Sequence, residues 1–112
     1  MFDYRQVFHV GLLVPDVDRA MDELGPALGL EWARVQYVAE RSVWTPGRGA
    51  EVVELTFVYS TQGPQHLELL SGSPGSVWDG SHASGAHHVG VWSDDVAADV
   101  GGFVAQGWRV AA

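Results

Sequence analysis

The chain reads as an α+β protein made of two copies of a β-α-β-β-β unit, the second copy incomplete. Two observations lead there. The stretch His9-Val10-Gly11-Leu12-Leu13-Val14-Pro15-Asp16-Val17 recurs 79 residues later as His88-Val89-Gly90-Val91-Trp92-Ser93-Asp94-Asp95-Val96, with His, Val, Gly, Asp and Val identical. In each copy a histidine opens a short apolar run of strand character, an aspartate follows seven residues on, and a helical pattern begins there. A repeat this long in 112 residues implies two similar halves packed about an approximate two-fold axis, with matched positions facing one another across a shared centre. His9 and His88 are such a pair.

The elements follow in order. Residues 7–14 are continuously apolar around His9, which predicts a central strand covered on both faces. Pro15 stops it and Asp16 is a good helix N-cap. Val17, Ala20, Met21 and Leu24 then fall on one helical face. Gly25-Pro26 is expected to end or kink this helix, and Gly29 adds a turn before a strand near Leu30–Val38. Thr45-Pro46-Gly47-Arg48-Gly49 is a turn by composition and predicts an antiparallel hairpin between segments around Trp32–Val43 and Val52–Tyr59. After Thr61-Gln62-Gly63-Pro64, a fourth strand is expected over Gln65–Leu70.

The whole chain is expected to be one domain: a first unit over residues 1–71, a Gly- and Ser-rich connector over 72–86 packed down by Trp78, and a partial second unit over 87–112. In that second unit a strand spans 87–93, Asp95 caps a helix through Val96, Val100, Phe103 and Val104, and Gly107 ends it. Another strand is expected to start at Trp108. If the second half repeats the first, its last two strands lie beyond Ala112. The expectation is that the natural chain continues or that a second copy fills the gap as a homodimer.

Composition removes several kinds of chemistry. At 46% hydrophobic and 18% charged, the chain has the make-up of a folded domain. Cysteine is absent, and with it disulfides, thiolate metal sites and cysteine nucleophiles. His66-Leu67-Glu68 matches the His-x-Glu of zinc deaminases, but the paired cysteines of that motif cannot exist here. All six basic residues are arginine, so lysine Schiff bases and P-loops are excluded. The net charge of −8 disfavours nucleic acid. With no apolar run near twenty residues and no leader-like segment, no membrane partner and a cytoplasmic location are expected.

A β-α-β-β-β unit opening with His-Val-Gly-Leu-Leu-Val-Pro-Asp, followed by Leu-Glu-Leu-Leu and then His-His-Val-Gly-Val, resembles the vicinal oxygen chelate superfamily. Its members include glyoxalase I, methylmalonyl-CoA epimerase, extradiol dioxygenases and bleomycin-resistance proteins. The resemblance spans nearly the whole chain and implies a glyoxalase-like fold, in which two units form a cupped mixed sheet around one divalent metal. It further implies His9, Glu68 and His88 as ligands, with a fourth on a strand beyond Ala112.

The residue chemistry agrees with part of this. Imidazole and carboxylate suit Zn, Ni, Co, Mn or Fe(II), and three protein ligands leave positions for a small-molecule substrate's oxygens. A lone histidine in an apolar strand is ordinarily a core residue; its recurrence at one register in both copies is what core packing does not require. His87 and His88 compete for the second role. Strand alternation sends them to opposite faces, and the repeat selects His88. His66 shares the face of Glu68 and is held as a ligand in reserve or a residue behind the ligands. The tryptophans and tyrosines are assigned no role.

The resemblance implies a metal-dependent lyase or isomerase, lactoylglutathione-lyase-like or acyl-CoA-epimerase-like, that moves a proton next to a carbonyl with Glu68 as the catalytic carboxylate. The alternatives are an Fe(II) extradiol-type dioxygenase and a bleomycin-resistance-type binding protein.

Overall fold

The computed structural model describes residues 3–112. After a short 3-10 turn come β1 (Val7–Leu13), α1 (Val17–Leu28), β2 (Gln36–Thr45), β3 (Gly49–Tyr59), β4 (His66–Gly72), β5 (Gly85–Val91) and α2 (Val96–Ala105). The strands form one mixed sheet in the order β2-β3-β4-β1-β5. β1 runs parallel to β4 and antiparallel to β5. It is therefore interior to the sheet, and none of its residues is exposed.

Asp16 caps α1 as expected, its carboxylate accepting from the Arg19 N–H at 3.1 Å. Val17 and Ala20 are buried against Val58 of β3 and Leu69 of β4, with Leu12, Val14, Met21, Leu24 and Trp32 packed around them. One face of the sheet is thus closed by α1. The opposite face of β1 carries His9 and Gly11, because neighbouring strand residues point to opposite sides.

Three expectations about elements are corrected. α1 does not end at Gly25-Pro26 but runs through Pro26 to Leu28. The helix accommodates Pro26, and its end is built instead by Gly29 in the left-handed region (φ 66°), with the N–H groups of Gly29 and Leu30 both donating to the Gly25 carbonyl. The second strand starts at Gln36, not near Leu30: Trp32 makes one isolated bridge to Ser60, and its indole N–H reaches back to the Met21 carbonyl at 3.3 Å. Packing under α1 holds that segment. No strand forms over Trp108–Ala112, where the Trp108 N–H turns back to the Phe103 carbonyl and no strand lies alongside.

The hairpin of β2 and β3 forms around the predicted turn, closed by Arg48 N–H to the Thr45 carbonyl at 3.0 Å. The connector folds as a series of turns tied to β4 by the Gly72 N–H bonding the Trp78 carbonyl at 2.7 Å. Asp95 caps α2 by accepting from Ala98 N–H at 3.0 Å, yet α2 buries none of its residues. Among the described residues no helix is long and apolar enough to cross a membrane.

Candidate metal centre

Sheet register assembles the site. Gly11 of β1 lies between Glu68 of β4 and His88 of β5, and Tyr59 of β3 continues the same row beyond Glu68. In the next row His9 lies between His66 and Gly90. Both rows face away from α1.

The antiparallel pairing sets His9 opposite Gly90 and Gly11 opposite His88, so the two His-x-Gly copies exchange partners about a local two-fold at Val10 and Val89. Each glycine makes room for the other copy's imidazole. A Cβ on Gly11 would come within 2.2 Å of the His88 ring, and a Cβ on Gly90 within 2.0 Å of the His9 ring, both hard clashes.

Over this cradle His9, Glu68 and His88 converge. The two histidine Nε2 atoms are 2.8 Å apart, and Glu68 Oε1 lies 3.4 Å from His9 Nε2 and 3.0 Å from His88 Nε2. The side chains of His9 and Glu68 are 8% and 7% exposed, while His88 retains 32%. A carboxylate this buried calls for a partner, a hydrogen-bond donor or a positive charge. His9 is not a source of positive charge: burial, opposed by Glu68 and assisted by His88 and His66, holds its pKa below the ordinary imidazole range.

His9 therefore offers an uncharged nitrogen, and its Nδ1 is buried without a hydrogen-bond partner. Two imidazole nitrogens and a carboxylate oxygen, all within 4.8 Å of one another, are a donor set that suits a divalent cation. His9 Nε2, Glu68 Oε1 and His88 Nε2 are the atoms that would hold it.

Around this cluster the structure adds residues that sequence patterns did not single out. The Tyr59 hydroxyl sits beside Glu68; burial, and then its hydrogen bond to that carboxylate, push its pKa well above the ordinary tyrosine range. The Tyr59 ring also meets His9 edge-on at 5.3 Å. Gly11 and Gly90 were visible in the repeat itself, since both copies read His-Val-Gly, and only their meaning was hidden.

His87 and His88 do not obey simple alternation. The β1–β5 register passes from Gly11↔His88 to Leu12↔Ala86, leaving His87 as the extra residue of a bulge. His87 Nδ1 consequently lies 2.9 Å from His88 Nδ1. His66 stands in the row beside His9, but it is not one of the three converging residues. Its Nδ1–H donates to the Ser60 carbonyl at 2.7 Å, and its ring lies over Gly63.

A mixed sheet with one helix-covered face and a two-histidine, one-carboxylate cluster on the other defines a glyoxalase-like α+β protein. Residues 8–112 match the family model of the Glyoxalase/Bleomycin resistance protein/Dioxygenase superfamily, and the chain belongs to that superfamily. Members of this vicinal oxygen chelate group typically bind a divalent metal.

Among solved structures, a variant of Streptomyces coelicolor methylmalonyl-CoA epimerase in complex with 2-nitronate-propionyl-CoA is similar at TM-score 0.58 and 21% identity, covering 94% of this chain and 72% of that one. A methylmalonyl-CoA epimerase in complex with methylmalonyl-CoA and NH4+ matches at TM-score 0.58 and 20% identity, over 94% and 72% of the two chains. These likenesses establish the fold, and the second half of this chain is shorter than its counterpart there. No curated protein matches the chain.

Proposed function

We propose that the protein is a divalent-metal-dependent lyase or isomerase that moves a proton next to a carbonyl in a small oxygen-chelating substrate. The observation that carries this is the convergence of His9 Nε2, Glu68 Oε1 and His88 Nε2 over the Gly11–Gly90 cradle. Superfamily membership and the epimerase-like fold support the same class. A bound divalent cation polarises a substrate carbonyl and so lowers the pKa of the adjacent C–H.

The chain's own residues do the rest. His9, walled in by Phe8, Tyr59 and Gly90, keeps an uncharged nitrogen aimed at the centre. Glu68 is the one carboxylate in the cluster, and it is the group that would take and return the proton at the substrate carbon. The Tyr59 hydroxyl donates to that carboxylate and helps hold its orientation. Leu70, two residues after Glu68 and on the same face of β4, is buried and keeps water from that side. The proposed substrates are hemithioacetals, hydroxy-ketones or 2-methylacyl thioesters. The proposed state is a homodimer, supported by the exposed Trp92, Val96, Val100 and Val104 of the second half.

The test is elemental analysis of the purified protein joined to deuterium uptake at the substrate α-carbon from heavy water. One bound metal and α-carbon exchange are expected, with a light-scattering mass near twice 12.1 kDa. A metal-loaded protein that exchanges none of these substrates but consumes oxygen with a catechol is a dioxygenase instead, using the same two histidines and carboxylate. A protein that takes up no metal is a binding protein.

A further inference from the structure

His87 takes part in no step above, yet both of its ring nitrogens are engaged. Nε2 lies 2.8 Å from the Val77 carbonyl oxygen, and Nδ1 lies 2.9 Å from His88 Nδ1. A carbonyl can only accept, so His87 Nε2 carries a proton. A neutral imidazole protonated there has a bare Nδ1, which accepts. The atom facing it, His88 Nδ1, must donate. With its proton on Nδ1, a neutral His88 turns an unprotonated Nε2 toward Glu68 Oε1 and His9 Nε2.

We propose that His87 is a positioning residue that fixes the tautomer and ring orientation of His88, so that the Val77 carbonyl and His87 together present the His88 Nε2 lone pair to the centre. This deepens the metal-site reading and rests on it for its purpose, though not for its geometry. An imidazole ligand needs its other N–H tied down to set tautomer and orientation, and a relay from the connector does so here.

The matched position in the first copy shows why the second needs it. Phe8 precedes His9 as His87 precedes His88, and the β1–β5 register skips Phe8 as it skips His87. Phenylalanine cannot accept a hydrogen bond, and His9 Nδ1 is left without a partner. His9 is held by packing instead, with the Phe8 ring edge-on at 4.4 Å and the Tyr59 ring at 5.3 Å. His88 is four times as exposed, 32% against 8%, so packing alone leaves its ring free to turn. The bulge at His87 places a nitrogen where the missing packing would have been.

Val77 is itself fixed. The turns around it are closed by Ser76 N–H to the Ser73 carbonyl and Asp79 N–H to the Ser76 carbonyl, both at 3.1 Å, and the Trp78 carbonyl is tied to β4 by Gly72.

Histidine 15N spectra of the metal-free protein, taken above the pH range in which imidazole titrates, read the tautomer directly. In the parent, His88 is expected to show a protonated Nδ1 and a bare Nε2. His87→Gln, whose amide can accept from His88 and donate to Val77, keeps that pattern. His87→Phe, with a ring and no nitrogen, loses it, and its zinc affinity falls about 10–100-fold while that of His87→Gln stays at the parent value.

A His88 that carries its proton on Nε2 in the parent overturns the proposal, as does a folded His87→Phe that retains the Nδ1–H state. A parent with the expected tautomer that takes up no zinc overturns the metal reading and leaves this one standing.

Discussion

Val17 and Val96 are the same residue, one position after an aspartate N-cap in the two copies of the repeat, yet Val17 is 4% exposed and Val96 66%. The caps themselves are nearly identical, at 3.1 Å for Asp16 and 3.0 Å for Asp95. Helix initiation is a local event, so it repeats with the sequence. Burial depends on what lies across from the helix. α1 faces Val58 and Leu69 in the sheet, whereas Val100, Phe103 and Val104 of α2 remain exposed. The histidines divide in the same manner, His9 fixed by walls and His88 by a hydrogen bond.

The largest way to break this comparison is at the centre both halves share. On the proposed reading His9→Ala removes one of the three ligands, so metal content and α-carbon exchange should disappear together. Affinity for zinc should fall by more than about 100-fold, beyond what loss of a supporting residue causes. Elemental analysis and the exchange assay measure both. Retained metal with retained exchange would remove His9 from the site.

Glu68→Gln separates the two roles assigned to that side chain. Its amide oxygen still coordinates but does not take a proton, so much of the metal should remain while exchange slows by about 10²–10⁴. Exchange at the parent rate would place the base elsewhere.

The glycines test the two-fold directly. Gly90→Ala should cost about 1–3 kcal/mol by overpacking, because the buried His9 ring has nowhere to go. Gly11→Ala should cost less stability but weaken metal binding, since the more exposed His88 can swing outward. Urea unfolding and zinc titration of both variants decide, and equal losses in both would mean that the two rings are equally confined.

The caps give the smallest effects. Asp16→Ala should lower the unfolding free energy by about 1 kcal/mol. Asp95→Ala should reduce helical circular dichroism while leaving the urea unfolding free energy within about 0.5 kcal/mol of the parent, because α2 contributes no buried residue to the cooperative core. A large global loss from Asp95→Ala would show that α2 is packed in solution.

Much of this was legible in the chain alone. The order of elements, both caps, the hairpin turn, and His9, Glu68 and His88 as a converging set follow from periodicity, turn chemistry, the 79-residue repeat and the family resemblance, because strand direction and cap preference are short-range properties. The end of α1 was expected too early because Pro26 is tolerated near the end of the helix, where the left-handed Gly29 finishes it. The strand expected after Gly107 failed because β character alone does not make a strand without a neighbour to pair with.

What only the tertiary structure decided is how the site is supported. Sheet register, a property of pairs of strands, put Gly11 beneath His88, Gly90 beneath His9 and Tyr59 beside Glu68. A bulge, which exists only relative to the opposite strand, turned His87 from a rival of His88 into its hydrogen-bond partner. The sequence by itself determined which atoms could meet, since residue type carries the chemistry. Tertiary structure alone determined which nitrogen each histidine shows, because that depends on neighbours brought in from the far side of the fold.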